Sequence, residues 1–383
     1  MDAEWIPYAK PTYFGREIEL VTDALASTWI SGGAYVDEFE KKVATLLDVP
    51  YALAVSNGTT ALQLALVALG IGPGDEVIVP AFTFAAAANM VLAVGAKPIA
   101  AEVDPYTWCI DPASLERVVN NHTRAIIAVH LYGNVSEMDA LLEIARQRQL
   151  DVIEDAAEAT FSKYKGRSAG SMGRVGTLSF HAAKTVTTGE GGMVLTADKE
   201  LYQRMTLLRS QGMQKGKPFY WHDVAGFNFR LTNLQAALGC AQLEKLDLIR
   251  SERTRVAATY RRLLQTLSGF RLQTISQTVE PVIWAIAGQI VEHEEDIRQT
   301  ESRRDLMMQL LRQRGIETRP GFYTLASMPP YKCGEWPFAR KLAASVISLP
   351  TYPALDDNKI ARVCRALQES LDEVMQTDVH GCT

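Results

Sequence analysis

The sequence predicts an α/β fold, with a doubly wound, mostly parallel sheet in a large N-terminal unit and a smaller α+β unit after it. Three observations carry this. Between about residues 50 and 200, short aliphatic runs bounded by Gly, Pro, Asp or Asn alternate with stretches of three- and four-residue apolar spacing. Such alternation places crossover helices on both faces of a sheet. A proline-free helical pattern then runs from about Leu231 to Leu267, and a second, shorter β-rich stretch follows it.

Taken in order, the strand candidates are Tyr51–Val55, Glu76–Val79, Arg124–His130, Asp151–Glu154, Thr177–Phe180 and Gly192–Leu195. Thr60–Leu69, Met138–Gln149 and Lys199–Arg209 carry helical periodicity between them. The single long helix at Leu231–Leu267 reads as one that leaves one domain and enters the next, which divides the chain into 1–245 and 246–383. The second part holds β structure in Thr278–Val291, a helix at Arg303–Arg314 and a final helix at Asp356–Met375. His293-Glu294-Glu295-Asp296 reads as a solvated loop.

Composition narrows the function. The chain has 383 residues, 47% hydrophobic and 22% charged, which is ordinary for a globular protein and excludes wholesale disorder. A net charge of −5 argues against a binder that tracks nucleic-acid phosphates. It leaves small anionic ligands open, since a ligand meets a site and not an average. The N-terminus lacks a basic flank followed by an apolar stretch, so no signal peptide is expected. The run Ala81–Val94, broken by Thr83 and Asn89, is too short and polar to span a bilayer. Cys109, Cys240, Cys333, Cys364 and Cys382 are scattered without metal-ligand spacing and read as reduced thiols of a cytoplasmic protein with no metal site.

Three segments carry chemistry. Ser56-Asn57-Gly58-Thr59-Thr60 follows a strand and opens a helix, where small residues and backbone amides suit an anion. A plain capped helix is the competing reading. Glu154-Asp155-Ala156-Ala157-Glu158 ends a strand at the carboxyl edge, where doubly wound folds place ligands. A carboxylate there can pair with a protonated ring nitrogen, or Asp155 can simply cap a helix. In Ser179-Phe180-His181-Ala182-Ala183-Lys184-Thr185, a lysine among small apolar neighbours precedes a Thr/Gly-rich loop. A lysine in a partly desolvated pocket can form a Schiff base, whereas most lysines are solvated surface charges.

In this order, and with Trp29-Ile30-Ser31-Gly32-Gly33, Gly74-Asp75-Glu76, Thr83-Phe84, His130-Leu131-Tyr132-Gly133 and Gly226-Phe227-Asn228-Phe229-Arg230, these motifs resemble the DegT/DnrJ/StrS sugar aminotransferases over nearly the whole chain. The resemblance implies a pyridoxal phosphate transferase of fold type I. It makes Lys184 the Schiff-base lysine that also moves the proton between substrate Cα and cofactor C4′. It places Asp155 on the pyridinium nitrogen, Glu158 near the phenolic oxygen and Phe84 on the ring. It gives the phosphate to Gly58, Thr59 and Ser179, with Asn228 reaching in from the neighbouring subunit of a homodimer. Trp29, Ser31, His181, Arg230, Arg319 and Tyr323 are substrate-side candidates. For Arg230 and Arg319, bidentate contact with a carboxylate or diphosphate competes with a structural salt bridge.

A dehydratase branch of the family carries histidine in place of the lysine. Here the lysine is present, and His181 lies three positions before it, so transamination is expected. Glutamate is the expected amino donor. The acceptor implied is a keto sugar. Phe219–Asn228 and Met328–Tyr331 are similar to the branch that aminates C4 of GDP-4-keto-6-deoxymannose, while Thr324 and Ala326 depart from it. Other ketosugars, including 3-keto and nucleotide-free ones, and aminocyclitol precursors stay open, as does sugar dehydration. A non-catalytic regulator is the third reading. Met307-Met308 reads as core packing, and His222 either lines the substrate entrance or is a surface histidine.

Overall fold

Along the strands of the first half, apolar side chains serve two faces in turn. In Glu76–Pro80, Val77 and Val79 enter one core and Ile78 the other; in Thr123–Val129, Ala125 and Ile127 oppose Ile126 and Ala128. A sheet whose alternate residues are all buried must be covered on both sides. The computed structural model describes residues 4–214, 216–291, 296–331 and 334–377.

The chain begins with helices α1 (Glu17–Ala26) and α2 (Ala34–Leu47), then alternates β1 (Tyr51–Val55), α3 (Gly58–Ala68), β2 (Glu76–Pro80), α4 (Ala86–Ala93), β3 (Lys97–Ala101), α5 (Pro112–Val118), β4 (Thr123–Val129), α6 (Met138–Arg148) and β5 (Asp151–Asp155). Two short strands, β6 (Lys163–Tyr164) and β7 (Arg167–Ser168), precede β8 (Val175–Ser179), β9 (Gly192–Thr196) and α7 (Lys199–Arg209). The main sheet has the order β1-β9-β8-β5-β4-β2-β3. Only β9 runs against the others, pairing antiparallel with β1 and β8. The sequence reading omitted β3. Its Lys97-Pro98-Ile99-Ala100-Ala101 is weak in β-formers, and Pro98 is tolerated because β3 is an edge strand paired with β2 alone.

The expected single helix at Leu231–Leu267 is two helices, α8 (Asn233–Glu244) and α9 (Leu246–Leu264), broken at Lys245, whose φ is −113° and ψ is 18°. No Gly or Pro marks the break, so periodicity cannot reveal it. Its effect is to let α8 pack on α1 and α2 while α9 turns Val256, Ala257, Tyr260 and Leu264 into a separate core. That core is roofed by an antiparallel sheet, β10-β12-β14-β13. It comprises β10 (Phe270–Leu272), then, after the two-residue β11 (Val279–Glu280), β12 (Ile286–Ile290), helix α10 (Ile297–Gln313), β13 (Arg319–Pro320), helix α11 (Pro337–Ser345), β14 (Val346–Leu349) and a closing helix α12 (Asp357–Thr377). Met307 is buried there and Met308 packs against it.

The N-terminal segment joins this second core. Ile6 N–H donates to Gly315 O and Glu317 N–H to Ile6 O, at 2.8 and 2.9 Å, and Ile6 is fully buried. Of the acidic segment predicted as a loop, only Asp296 lies within the described residues, where it caps α10 by accepting from Arg298 N. Cys109, Cys240 and Cys364 are free and buried; Cys333 and Cys382 lie outside the described residues. No described helix is long and apolar enough to cross a membrane. Among the described residues, no cluster of ligating side chains could hold a metal ion.

Candidate active site

The carboxyl ends of β1, β5 and β8 converge. In register, Val55 pairs with Gly192 and Ser179 pairs with the same Gly192, so the segments after β1 and β8 emerge on either side of one glycine. A Cβ on Gly192 would sit 2.4 Å from the Asn57 carbonyl carbon and oxygen. Its absence lets Asn57-Gly58 turn straight into α3. There Asn57 and Thr60 form a capping box: Thr60 N–H donates to Asn57 Oδ1 at 2.8 Å, and Asn57 N–H to Thr60 Oγ1 at 3.2 Å. This cap satisfies Thr60, while the amides of Gly58 and Thr59, at the first two helical positions, have no intrahelical acceptor. They line a cleft of about 540 Å³ beside the buried Ser179. An anion there meets two open amides, a hydroxyl and the positive end of a helix.

The opposite wall comes from β5. Asp155 is buried, and its Oδ1 accepts from Ala157 N–H at 3.1 Å, while Oδ2 takes no hydrogen bond from the described residues. Burial pushes its carboxyl above the ordinary aspartate range, with the Ala157 amide, Lys184 and His130 pulling the other way. Glu158 is likewise raised by burial against the pull of Lys184. Its Oε2 accepts from Tyr132 N–H at 3.1 Å.

Lys184 stands on the turn after β8, closed by Lys184 N–H donating to His181 O at 2.8 Å. Its amine lies 3.5 Å from Glu158 Oε1 and 3.8 Å from the centre of the Trp284 ring. Trp284 stacks on Tyr132 at 5.9 Å and 15°, and Tyr132 stacks on Phe322 at 5.5 Å and 14°. Phe322 meets Phe84 edge-on at 6.0 Å. Gly133 makes this wall possible: it has φ +104°, and a Cβ would lie 2.6 Å from Val282 O, on the loop leading to Trp284.

The cleft thus gathers Gly58, Thr59, Phe84, Asp155, Glu158, Ser179, His181, Lys184 and Arg319. Arg319 lines the cleft and is tied to Glu317 at 2.6 Å. Trp29, Ser31, Asn228, Arg230 and Tyr323 do not line the cleft of their own chain. Trp29 and Ser31 are exposed on a turn that Asn233 pins by donating to Trp29 O at 2.7 Å. Asn228 and Arg230 are exposed beside β1, Arg230 Nε donating to Asn228 Oδ1 at 3.1 Å rather than to an acid. Tyr323 turns away from its neighbour Phe322, with Arg304 6.0 Å from its ring. His222 is exposed, with Nδ1 2.6 Å from Gln211 O.

Sequence reasoning passed over Tyr8, Tyr132, Trp284 and Phe322 as site residues. Tyr132 sits in the His-Leu-Tyr-Gly segment after β4, but its φ of +59° beside Gly133 is visible only in the structure. Nothing local marks Tyr8.

A lysine amine, a carboxylate with an open oxygen and an amide-lined anion cradle in one cleft fit pyridoxal phosphate at its aldehyde, ring nitrogen and phosphate. Residues 13–368 match the model of the DegT/DnrJ/EryC1/StrS aminotransferase family. The chain belongs to that family. It is 41% identical, over 96% of its length and 98% of the relative's, to the GDP-perosamine synthase of Escherichia coli O157:H7. It is 42% identical to the enzyme of that name from Caulobacter vibrioides, over 97% and 99% of the two chains. The crystal structure of S. venezuelae DesV, solved with a ketimine intermediate, superposes with a TM-score of 0.86 at 34% identity over 93% of this chain and 94% of that one. As a member of the family, the chain is a pyridoxal phosphate-dependent sugar aminotransferase.

Proposed function

We propose that the enzyme transfers an amino group from glutamate to C4 of a GDP-linked 4-keto-6-deoxyhexose, as a cytoplasmic homodimer. The observation that carries this reading is the likeness, along nearly the full length of both chains, to two relatives named GDP-perosamine synthase. The cleft, with Lys184, Asp155 and the Gly58–Thr59 amides together, supports the chemistry.

Pyridoxal phosphate supplies an aldehyde that takes up an amine and a ring that accepts electron density. Asp155 would hold a proton at the ring nitrogen through its open oxygen. Gly58, Thr59 and Ser179 would bind the phosphate, and Asn228 of a second copy would complete the cradle. Glu158, 3.5 Å from the Lys184 amine, would orient it and serve the phenolic oxygen. Lys184 would be the group that attaches the cofactor and moves the substrate proton. Phe84 would shield the ring from water. We divide the polypeptide at 245/246, where the helix breaks.

The test is a donor–acceptor screen read by mass spectrometry. Glutamate with GDP-4-keto-6-deoxymannose should yield the amino sugar and 2-oxoglutarate. Turnover only with dTDP-, UDP- or nucleotide-free keto sugars would overturn the assigned acceptor.

A further inference from the structure

Trp284 reaches the lysine turn from more distant sequence and is fastened there by three contacts. Its Nε1–H donates to Ala183 O at 2.7 Å, its ring stacks on Tyr132, and Arg253 Nη1–H donates to its carbonyl oxygen at 2.9 Å. The same guanidinium donates to Ile283 O at 3.3 Å and, through Nη2, to Lys184 O at 3.2 Å. Arg253 is only 3% exposed, and its Nε is buried with no acceptor. Each of these hydrogen bonds goes to a backbone carbonyl, so the side chain acts as a bracket between the lysine turn and the Trp284 loop. Burial lowers the guanidinium to about 10, still charged at neutral pH.

We propose that the face of Trp284 is the resting place of the Lys184 ammonium whenever that amine is not bonded to the cofactor, with Arg253 the positioning residue that fixes ring and lysine relative to one another. The proposal rests on the reading of Lys184 as the cofactor lysine. The chemistry favours an indole for this task. Its face attracts a cation at 3.8 Å yet cannot accept a proton, so the amine is held without being neutralised by a neighbouring base. Glu158 at 3.5 Å is the competing partner. The other charged or titratable groups on the same cleft are Asp155, Tyr8, Tyr132, His181, Glu190 and Arg319, with Arg253 behind the backbone.

The experiment uses full-length protein loaded with pyridoxamine phosphate, which has no aldehyde and leaves Lys184 free. Competitive labelling with acetic anhydride across pH, read on the Lys184 peptide by mass spectrometry, gives the midpoint of its ionisation. Trp284→Leu should lower that midpoint by about 0.5 to 1 unit, and Trp284→Phe, which keeps a ring, by less than half as much. Arg253→Lys, which keeps the charge but cannot bridge three carbonyls, should shift it in the direction of Trp284→Leu. An unchanged midpoint in Trp284→Leu would overturn the proposal. So would an equal shift in Trp284→Phe, which would trace the effect to the lost bond with Ala183. An Arg253→Lys protein with a lower melting temperature and an unmoved midpoint would reduce Arg253 to a structural role. Failure of the underlying reading shows separately: Lys184→Ala would still form the yellow chromophore with pyridoxal phosphate.

Discussion

Glu154 Oε2 lies 3.0 Å from His130 Nε2, with both side chains fully buried. The same carboxylate accepts from the amides of Gly170, Met172 and Gly173 at 2.9, 2.6 and 2.6 Å. Ser136 N–H donates to His130 Nδ1 at 3.3 Å, which leaves Nε2 to carry the proton toward Glu154. The acid immediately before Asp155 is therefore an anchor for the 170–173 turn and not a second catalytic carboxylate. Glu154→Gln turns an amide group toward donors and should lower the unfolding free energy by about 2 to 4 kcal/mol. Denaturant titration of the variant checks this; an unchanged midpoint would contradict the anchor role.

Asp155 and Glu158 are both held above the ordinary carboxylate range, chiefly by burial. The folded chain binds these protons more tightly than the unfolded chain. Stability of the cofactor-free protein should therefore decline as pH rises from the ordinary carboxylate range through the raised values. Asp155→Asn removes one such group. It should raise the melting temperature of the cofactor-free protein at pH 7 more than at pH 4, while turnover drops on the order of a thousandfold. Calorimetry at the two pH values, alongside an activity assay, reads both effects.

Gly58 and Gly192 neighbour the same cradle but differ in tolerance. A Cβ on Gly58 would meet Ser179 Cβ at 3.0 Å and Oγ at 3.4 Å, tight contacts that a shift of a few tenths of an ångström relieves. Gly58→Ala should fold normally and bind pyridoxal phosphate about tenfold more weakly, since the added methyl crowds the anion site. On Gly192 the clash is with Asn57 backbone, so Gly192→Ala should cost about 2 to 3 kcal/mol of stability. Thermal melts and fluorescence titration with the cofactor separate the two outcomes.

Asn228 is exposed in the single chain, as its proposed role in the site of a second copy requires. Lys184→Ala and Asn228→Ala proteins, each impaired alone, should recover activity when unfolded and refolded together. Random pairing restores about a quarter of the sites, because half the dimers are mixed and each has one intact site. No recovery above the sum of the separate activities would contradict a shared site.

Much of this site is legible locally. Strand periodicity locates the carboxyl ends of β1, β5 and β8, and the motifs there name Gly58, Asp155, Glu158, Ser179 and Lys184, all of which line one cleft. Charged or small residues at the end of an apolar strand stand out from their surroundings. Tyr8, Tyr132, Phe322, Trp284 and Arg253 do not, since aromatic residues and helix arginines are as common in cores and on surfaces as in sites. Trp29, Arg230 and Tyr323, each beside a strong motif, lie outside the lining of the cleft in their own chain.

What the sequence determined by itself is the chemistry of the cleft floor, because turn glycines, a helix cap and strand-end acids are specified by a few adjacent residues. What only the tertiary structure decided is the cleft's aromatic wall and the bracket behind the lysine. Trp284 lies 3.8 Å from an amine 100 positions earlier in the chain. Arg253 reaches that turn because the helix breaks at Lys245 and carries α9 beneath it. Local propensity records neither, since the break has no Gly or Pro to announce it and a contact across so many residues exists only once both cores have packed.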